Sequence, residues 1–523
     1  MDEESKKLGA VTARRHPEYD GNKDHWTFLN ETYKGGREWF NESNLFKFYK
    51  EGTGEYSERK SRAYRFNHTR EVVQLVNKYL FRKLPKRSID DSPQELQDFW
   101  TAATLDGRSM NQLASAMDIG TSKMGRIYVV VDSTSDGTAR TRQEEIEQGS
   151  RVYAYIVEPL DVLDVAYDAD GRMSWIVIRE TVRDDADPLS STGRIEEQYR
   201  IWTRDGWILI TRERVASKTN GASGATSSYK YEVQTGEHKL GIVPVVAVDC
   251  FDAPDAKYTS PSLIGDVAYL DRAVANYLSN LDAIIQDQTF SQLAIPVEAL
   301  DTGRDDQIVE MGTKRVFSYN GAGGGKPFFM SPDVKQPELI LKIVKQLVNE
   351  IYHSVGVAGE RTKQDNAAGI DNGSGVAKAY DFNRVESLLT TKAASLEDAE
   401  NRIAEIALLY MGQSDGDPYA PQKRVSYPDK FDVRGAEDEL MLLSEMHAQN
   451  LPTEVIKHQM RISVDKVYPN ASESEKKELH AAIDRWPESS AMGGMIGPGF
   501  LTGGQPAASN PKSGQDNGQQ NAE

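Results

Sequence analysis

Glycines, a lysine and paired carboxylates are the residues of this chain whose types suit phosphate or metal chemistry, and their spacing decides whether they perform it. A phosphate cradle needs a glycine-rich turn and then Gly-Lys-Ser/Thr opening a helix, so that backbone N–H groups and the lysine surround the phosphate. The nearest stretch, Gly323-Gly-Gly-Lys326, has Asn320 where the first glycine belongs and Pro327 in place of the metal-binding hydroxyl. It reads as a turn. Asp90-Asp91, Asp184-Asp185 and Asp305-Asp306 are the pairs that could hold magnesium for nuclease work. Adjacent loop carboxylates usually point apart and solvate the surface. The eight histidines contain no His-Glu-x-x-His pattern, and the spacing of His16, His25 and His68 fits no zinc motif. Gly373-Ser374-Gly375 has no strand before it, as a nucleophile elbow would require. The expectation is a chain with no catalytic residue, no cofactor and no metal: not an enzyme.

Bulk properties narrow the alternatives. A length of 523 residues suits two to four domains or one large elongated subunit. The formal net charge is −18, whereas proteins that grip nucleic acid present a basic face. An acidic wall suits a passage through which DNA slides without sticking, because it repels phosphates. The single cysteine, Cys250, rules out an intrachain disulfide and reads as a small buried hydrophobe after the apolar run 242–248. The start, Met-Asp-Glu-Glu-Ser-Lys-Lys, has no apolar region of the signal-peptide kind, and no stretch approaches the roughly 18 apolar residues of a spanning helix. No membrane partner is expected.

The elements follow from periodicity. The polar start is expected to be a disordered arm over 1–24. Aromatics are dense from Trp26 to Tyr49, which suggests a packed segment or an inter-subunit surface; Trp26, Trp39 and Phe40 are assigned to packing. Apolar spacing predicts a helix over Arg62–Phe81, and Ser92-Pro-Gln-Glu has the form of a capping box opening another. A helix over Met110–Thr121 follows. Strands are expected at 126–132, 151–157, 175–182, 195–203, 207–212 and 238–248, forming one antiparallel-rich domain across 125–250. A Gly/Ser/Thr-rich loop, 217–228, interrupts them.

Beyond lies a heptad-spaced helix over 261–290, with Leu263, Val267, Leu270, Val274, Tyr277, Leu281 and Ile284. A second runs over 337–355 with Ile340, Val344, Leu347 and Ile351. Between them a compact module shows β-like pieces at 295–299, 315–319 and 328–330. After the second helix comes a glycine-rich segment, then a third long helix, 376–411. Helical stretches are expected at 436–449, 453–461 and 473–485, and the tail beyond Met492 has the composition of disorder. The order describes a chain running out along one rod, turning in a small tip and returning along another. Rods of that length are stable when copies pack side by side, as in a closed ring.

The block Tyr33-Lys-Gly-Gly-Arg-Glu-Trp39-Phe40, then Leu45-Phe-Lys-Phe-Tyr49, Tyr56 to Tyr64 and Asn67 to Phe81, resembles the opening of portal proteins of tailed double-stranded DNA bacteriophages. The order of elements over 25–490 is similar too, as is Leu240-Gly-Ile-Val-Pro-Val-Val246 just before the first long helix. The resemblance implies an α+β portal fold with a wing (25–257), a stem helix (258–290), a β clip (291–335) and a returning stem helix (336–356). A tunnel loop (357–375), a bent wing helix (376–412) opening with Ser374-Gly-Val-Ala-Lys378, a helical crown (413–490) and a disordered tail (491–523) would complete it. It further implies a dodecameric ring at one capsid vertex of the virion, assembled in the host cytoplasm, for DNA packaging and ejection. Partners would be further copies of the chain, major capsid and scaffolding proteins, the terminase large subunit, head-completion, adaptor or tail proteins, and double-stranded DNA read without sequence specificity. Twelve copies at −18 carry −216, so any basic contact to DNA must be local. Arg361, Lys363, Gln364 and Asn366 in the tunnel loop are candidates for that contact, with a solvated loop as the alternative. Lys314, Arg315 and Lys326 in the clip would face either a partner or DNA. Another structural virion protein, a capsid or tail component, is the competing reading; a terminase-like enzyme lacks its phosphate loop.

Overall fold

The computed structural model describes residues 3–134, 150–215, 228–238, 240–251, 257–288, 292–296, 316–319, 326–330, 335–356, 375–414, 416–429, 431, 436–468 and 473–486. The chain divides into two compact units, Met1–Val433 and Arg434–Glu523.

The start of the first unit is ordered, contrary to the expectation of a disordered arm. Helix α1 (Glu3–Ala13) is polar overall, yet Leu8 and Val11 fall on one side and pack against the β-rich core. His16 then stacks on Tyr258, ring centroids 4.0 Å apart, and its backbone N–H donates to the Leu163 carbonyl. Helix α2 (Tyr19–Lys34) buries Tyr19, Trp26 and Leu29, spaced seven and three along one face. It stops at Gly35, whose φ of 61° favours glycine and whose missing Cβ would meet the Asn67 amide at 2.7 Å.

The helix expected over 62–81 starts later, at His68, and a helix that the sequence reading did not name precedes it. Helix α3 (Thr53–Arg62) ends at Ala63, and α4 (His68–Leu80) starts afresh because Asn67 caps it, accepting from the Arg70 N–H at 2.9 Å. Phe66, counted in the apolar stripe, lies before the helix and is exposed. After β1 (Lys86–Arg87) comes α5 (Gln94–Thr101), whose N-cap is Pro93; the Ser92 hydroxyl donates to the Ser88 carbonyl and not into a capping box. Helix α6 (Met110–Met124) carries that box instead, through Ser109 and Gln112.

The β region, expected as one antiparallel-rich domain, holds two sheets. In the first, β2 (Arg126–Ser133) lies between β3 (Val152–Val157) and β9 (Val245–Asp249), all antiparallel. The second is an antiparallel meander of β4 (Val162–Tyr167), β5 (Met173–Arg183), β6 (Ile195–Thr203), β7 (Gly206–Val215) and β8 (Ser228–Glu237). The sequence reading missed β4 and β8. Strand β2 explains the uninterrupted apolar run: Ile127, Val129 and Val131 join the helical core, while Tyr128 and Val130 join the core of the second sheet.

Helix α7 (Val267–Gln288) is shorter than the expected stem. Residues 260–266 are spent crossing the end of α6, where the Leu263 N–H donates to the Ser122 carbonyl and Gly125 sits against Ser260. Twenty-two residues span roughly 33 Å. The next three strands fall close to expectation: β10 (Gln292–Pro296) pairs parallel with β11 (Val316–Tyr319) and antiparallel with β12 (Phe328–Met330). Helix α8 (Lys335–Ser354) then packs back along α7. Helix α9 (Gly375–Tyr410) runs 36 residues and threads the helical core through Val385, Leu389, Leu396 and Ile403.

Residues 416–429 belong with the first unit: β13 (Val425–Ser426) pairs with β1, and the Met173 N–H donates to the Tyr419 hydroxyl at 2.9 Å. The second unit holds α10 (Ala436–Ala448), α11 (Thr453–Val467) and α12 (Glu473–Arg485), close to the three expected helices. Arg461 pairs with Asp484, and Trp486 lies against His447 with ring centroids 6.2 Å apart.

Candidate functional site

Buried polar links tie the hairpin of α7, the three-stranded sheet and α8 to the rest of the first unit. At the hairpin's root, Asp271 of α7 is fully buried and accepts from Arg65 at 3.0 Å and from the Thr69 N–H and hydroxyl at 3.0 and 2.7 Å. Burial pulls the Arg65 guanidinium below its ordinary pKa, and the Asp271 charge opposes that pull. Further along α7, buried Arg59 donates to Ser279 Oγ at 3.0 Å and pairs with Glu51 at 2.7 Å. The hydrogen bond from Arg59 holds the Glu51 carboxyl below its usual value. On α8, Tyr352 meets His68 of α4, with Oη 3.1 Å from Nδ1. These links cross from helix to helix, so they fix where the hairpin leaves the body.

A second buried charge anchors α9. Lys392 Nζ lies 2.9 Å from Asp118 Oδ1 and 3.4 Å from Cys250 Sγ, and Asn77 donates to the other Asp118 oxygen at 2.8 Å. Burial pushes the Lys392 pKa down, but the Asp118 charge, the Cys250 thiol and the hydrogen bonds to both together outweigh it and the net direction is upward. Burial pushes the Cys250 thiol up, so it stays protonated and unreactive. Nearby, Glu400 of α9 pairs with Arg87 at 2.6 Å and accepts from the Tyr427 hydroxyl at 2.9 Å; burial raises the Glu400 carboxyl. Each of these ionisable groups is spent on joining elements. Among the described residues no cluster of histidine, cysteine or carboxylate has the arrangement of a metal site, and no helix is long and apolar enough to cross a membrane.

What remains is surface, and α8 is its most unusual part. Ile351 and Tyr352, near its root, are buried, whereas none of residues 335–350 is. At about 100° per residue, Leu339, Ile343, Leu347, Ile340, Ile351, Val344, Val348 and Leu341 span an arc of roughly 200°, in which the exposed Gln336 and Glu350 are the polar members. Helix α7 packs along this arc, and α4 meets it near the root through His68 and Tyr352. Leu339 and Leu341 lie at the arc's opposite edges and are 58% and 50% exposed. The remaining face carries Lys335, Glu338, Lys342, Lys345, Gln346, Asn349 and His353, all exposed. It is a narrow basic stripe on an acidic chain.

Of the site residues expected from sequence, Arg361, Lys363, Gln364, Asn366, Lys314 and Arg315 lie outside the described residues. Lys326 is described, exposed, and stands two residues before β12. The lysine stripe of α8 was missed because only the apolar positions of that helix were read for period; the same arithmetic finds both.

No protein-family model matches the chain, and no curated protein matches it. Among solved structures, the chain is similar to one from the virion of a native gene transfer agent particle, with 13% identity and a TM-score of 0.37, covering 79% of this chain and 89% of that one. It is also similar to one from the neck of an empty gene transfer agent particle computed with C6 symmetry, with 13% identity and a TM-score of 0.35, covering 80% and 90%.

Proposed function

We propose that this chain is the subunit of a portal ring, a channel at one vertex of a phage-type capsid through which double-stranded DNA enters and leaves. The observation that carries the reading is the wide apolar arc of α8, whose edge residues Leu339 and Leu341 stay at least half exposed although α7 packs along the helix. In a ring each hairpin has a copy on either side, and both edges of the arc are then buried. Covering the exposed half of Leu339 and of Leu341 contributes roughly 1 kcal/mol each per interface, which becomes large when repeated around a closed ring. The basic stripe then faces away from the packed seam, a place from which lysines could touch passing phosphates while the acidic remainder repels them. The protein acts by assembly and passage, without catalysis. Its partners on this reading are the terminase during packaging, capsid and scaffolding proteins around the ring, and head-completion or tail proteins below it.

Light scattering on the purified chain tests this. Twelve copies of 58.3 kDa make about 700 kDa, the mass expected for the assembled species. A chain that stays at one copy across all concentrations and salts, alone and with its capsid partners, contradicts the reading.

A further inference from the structure

The five-stranded meander has one covered edge and one open edge. At β4 the edge is covered: the His16 N–H donates to the Leu163 carbonyl at 2.8 Å, and the Tyr258 hydroxyl donates to the Val162 carbonyl at 2.6 Å. Strand β8 pairs with β7 on one side, and among the described residues no strand pairs with its other side. The register with β7, and the His238 N–H bond to the Asp205 carbonyl at 2.9 Å, put the ladder bonds of β8 at Lys230, Glu232 and Gln234. Tyr229, Tyr231 and Val233 therefore turn their N–H and carbonyl groups to the open side. Such a row of outward donors and acceptors is a template for one more strand.

The side chains indicate which strand. A lone charge on an edge blunts it, because identical copies then repel. Here Lys230 and Glu232 are both exposed on one face, two residues apart, with Nζ 2.8 Å from Oε1. Antiparallel pairing of two copies centred on Tyr231 sets each Lys230 opposite Glu232 of the other copy. The existing pair stays, and signs alternate around the four charges. Moving the centre by one residue would set Glu232 against Glu232, or Lys230 against Lys230. The same centre places Tyr229 opposite Val233 on the other face, an aromatic and β-branched pair whose members are 37% and 44% exposed. Tyr229 is already held by Arg212, whose guanidinium lies 4.6 Å from the ring centroid. Tyr229, Tyr231 and Val233 also become the hydrogen-bonded positions, giving about six backbone bonds across the pair. One register thus serves backbone, charge and apolar surface together.

We infer that β8 is a docking edge for a second copy of this chain, the two strands pairing antiparallel about Tyr231 and joining two meanders into one sheet. The contact is twofold, so it lies outside the seams of a cyclic ring: it links subunits of different rings, or subunits not yet in one. It stands whether or not rings form. An edge pairing buries less than the roughly 1,200 Å² of a stable interface, so it is weak and is best trapped covalently. Cys250 is the chain's one cysteine and is buried, so introduced thiols are the reactive ones. Full chains carrying Lys230→Cys or Glu232→Cys are oxidised mildly, separately and as an equal mixture. The mixture is expected to give at least tenfold more covalent dimer on a non-reducing gel than either variant alone. Directly opposed positions in this register have Cα atoms about 4.5 Å apart, within disulfide reach, whereas a residue and its own equivalent are separated by a further two residues along the strand. Adding Val233→Pro to the Glu232→Cys chain removes an outward N–H and no bond to β7, and is expected to abolish the mixed dimer while circular dichroism is unchanged. A mixture that crosslinks no better than its components, or a proline chain that crosslinks as well as its parent, would overturn the inference.

Discussion

Alanine in place of Asp118 is expected to lower the stability of the first unit by about 3–5 kcal/mol, the cost of leaving a buried charge without its partner. Asp118 and Lys392 are 0% and 2% exposed, and the remaining neighbour of the ammonium is the Cys250 thiol, a weak partner. Adding Lys392→Met to Asp118→Ala removes the stranded charge and should recover most of the loss. The pH dependence supplies an independent sign. In the parent, Lys392 has a folded pKa above its ordinary 10.5, so its contribution is complete below that value and fades as pH rises beyond it. In Asp118→Ala the unpaired lysine has its folded pKa depressed by burial, so the unfolded chain binds the extra proton and stability rises as pH climbs toward 10.5. Urea midpoints at several alkaline pH values read both trends. A single variant within about 0.5 kcal/mol of the parent would show that the pair is not the anchor the geometry makes it.

Aspartate at both Leu339 and Leu341 is expected to abolish assembly while leaving the subunit folded. Both side chains are at least half exposed in the isolated chain, so the change costs the fold little, within about 0.5 kcal/mol for a surface site. In the ring the same carboxylates would be pressed into an apolar seam, where an unpaired charge costs several kcal/mol, and the cost recurs at every interface. Sedimentation should show the parent as one large species and the variant as a monomer of unchanged circular dichroism. A variant that assembles like the parent would mean that α8 faces solvent in the ring and that its wide apolar arc has another purpose.

Much of this was legible in the sequence where a single period dominates. The long helices and the β pieces between them were found by heptad spacing and short apolar runs, and their order suggested the hairpin before any coordinate. Failure came where tertiary partners decide. Helix α1 looks disordered by composition, yet Leu8 and Val11 are enough to seat it once the second sheet is present. Strand β8, Ser-Tyr-Lys-Tyr-Glu-Val-Gln-Thr-Gly-Glu, is mostly polar and exposed, so it lacks the apolar run that marks β2. The first long helix was expected from 261 on heptad spacing, but Gly125 brings the chain there into contact with the end of α6. Residues far apart in sequence, Asp118 with Lys392 or Arg65 with Asp271, gave no local signal at all. The aromatic density at 26–49 left a packed segment and an inter-subunit surface both open; Trp26, Trp39 and Phe40, assigned to packing, are buried, whereas Phe46, Phe48 and Tyr49 are exposed.

Electron microscopy of the assembled chain tests the central claim most directly. The account predicts closed rings with a central hole, whose narrow end is a wall of α7–α8 hairpins standing side by side with Leu339 and Leu341 in the seams. Open filaments, compact dimers, or rings in which α8 lies clear of its neighbours would contradict it.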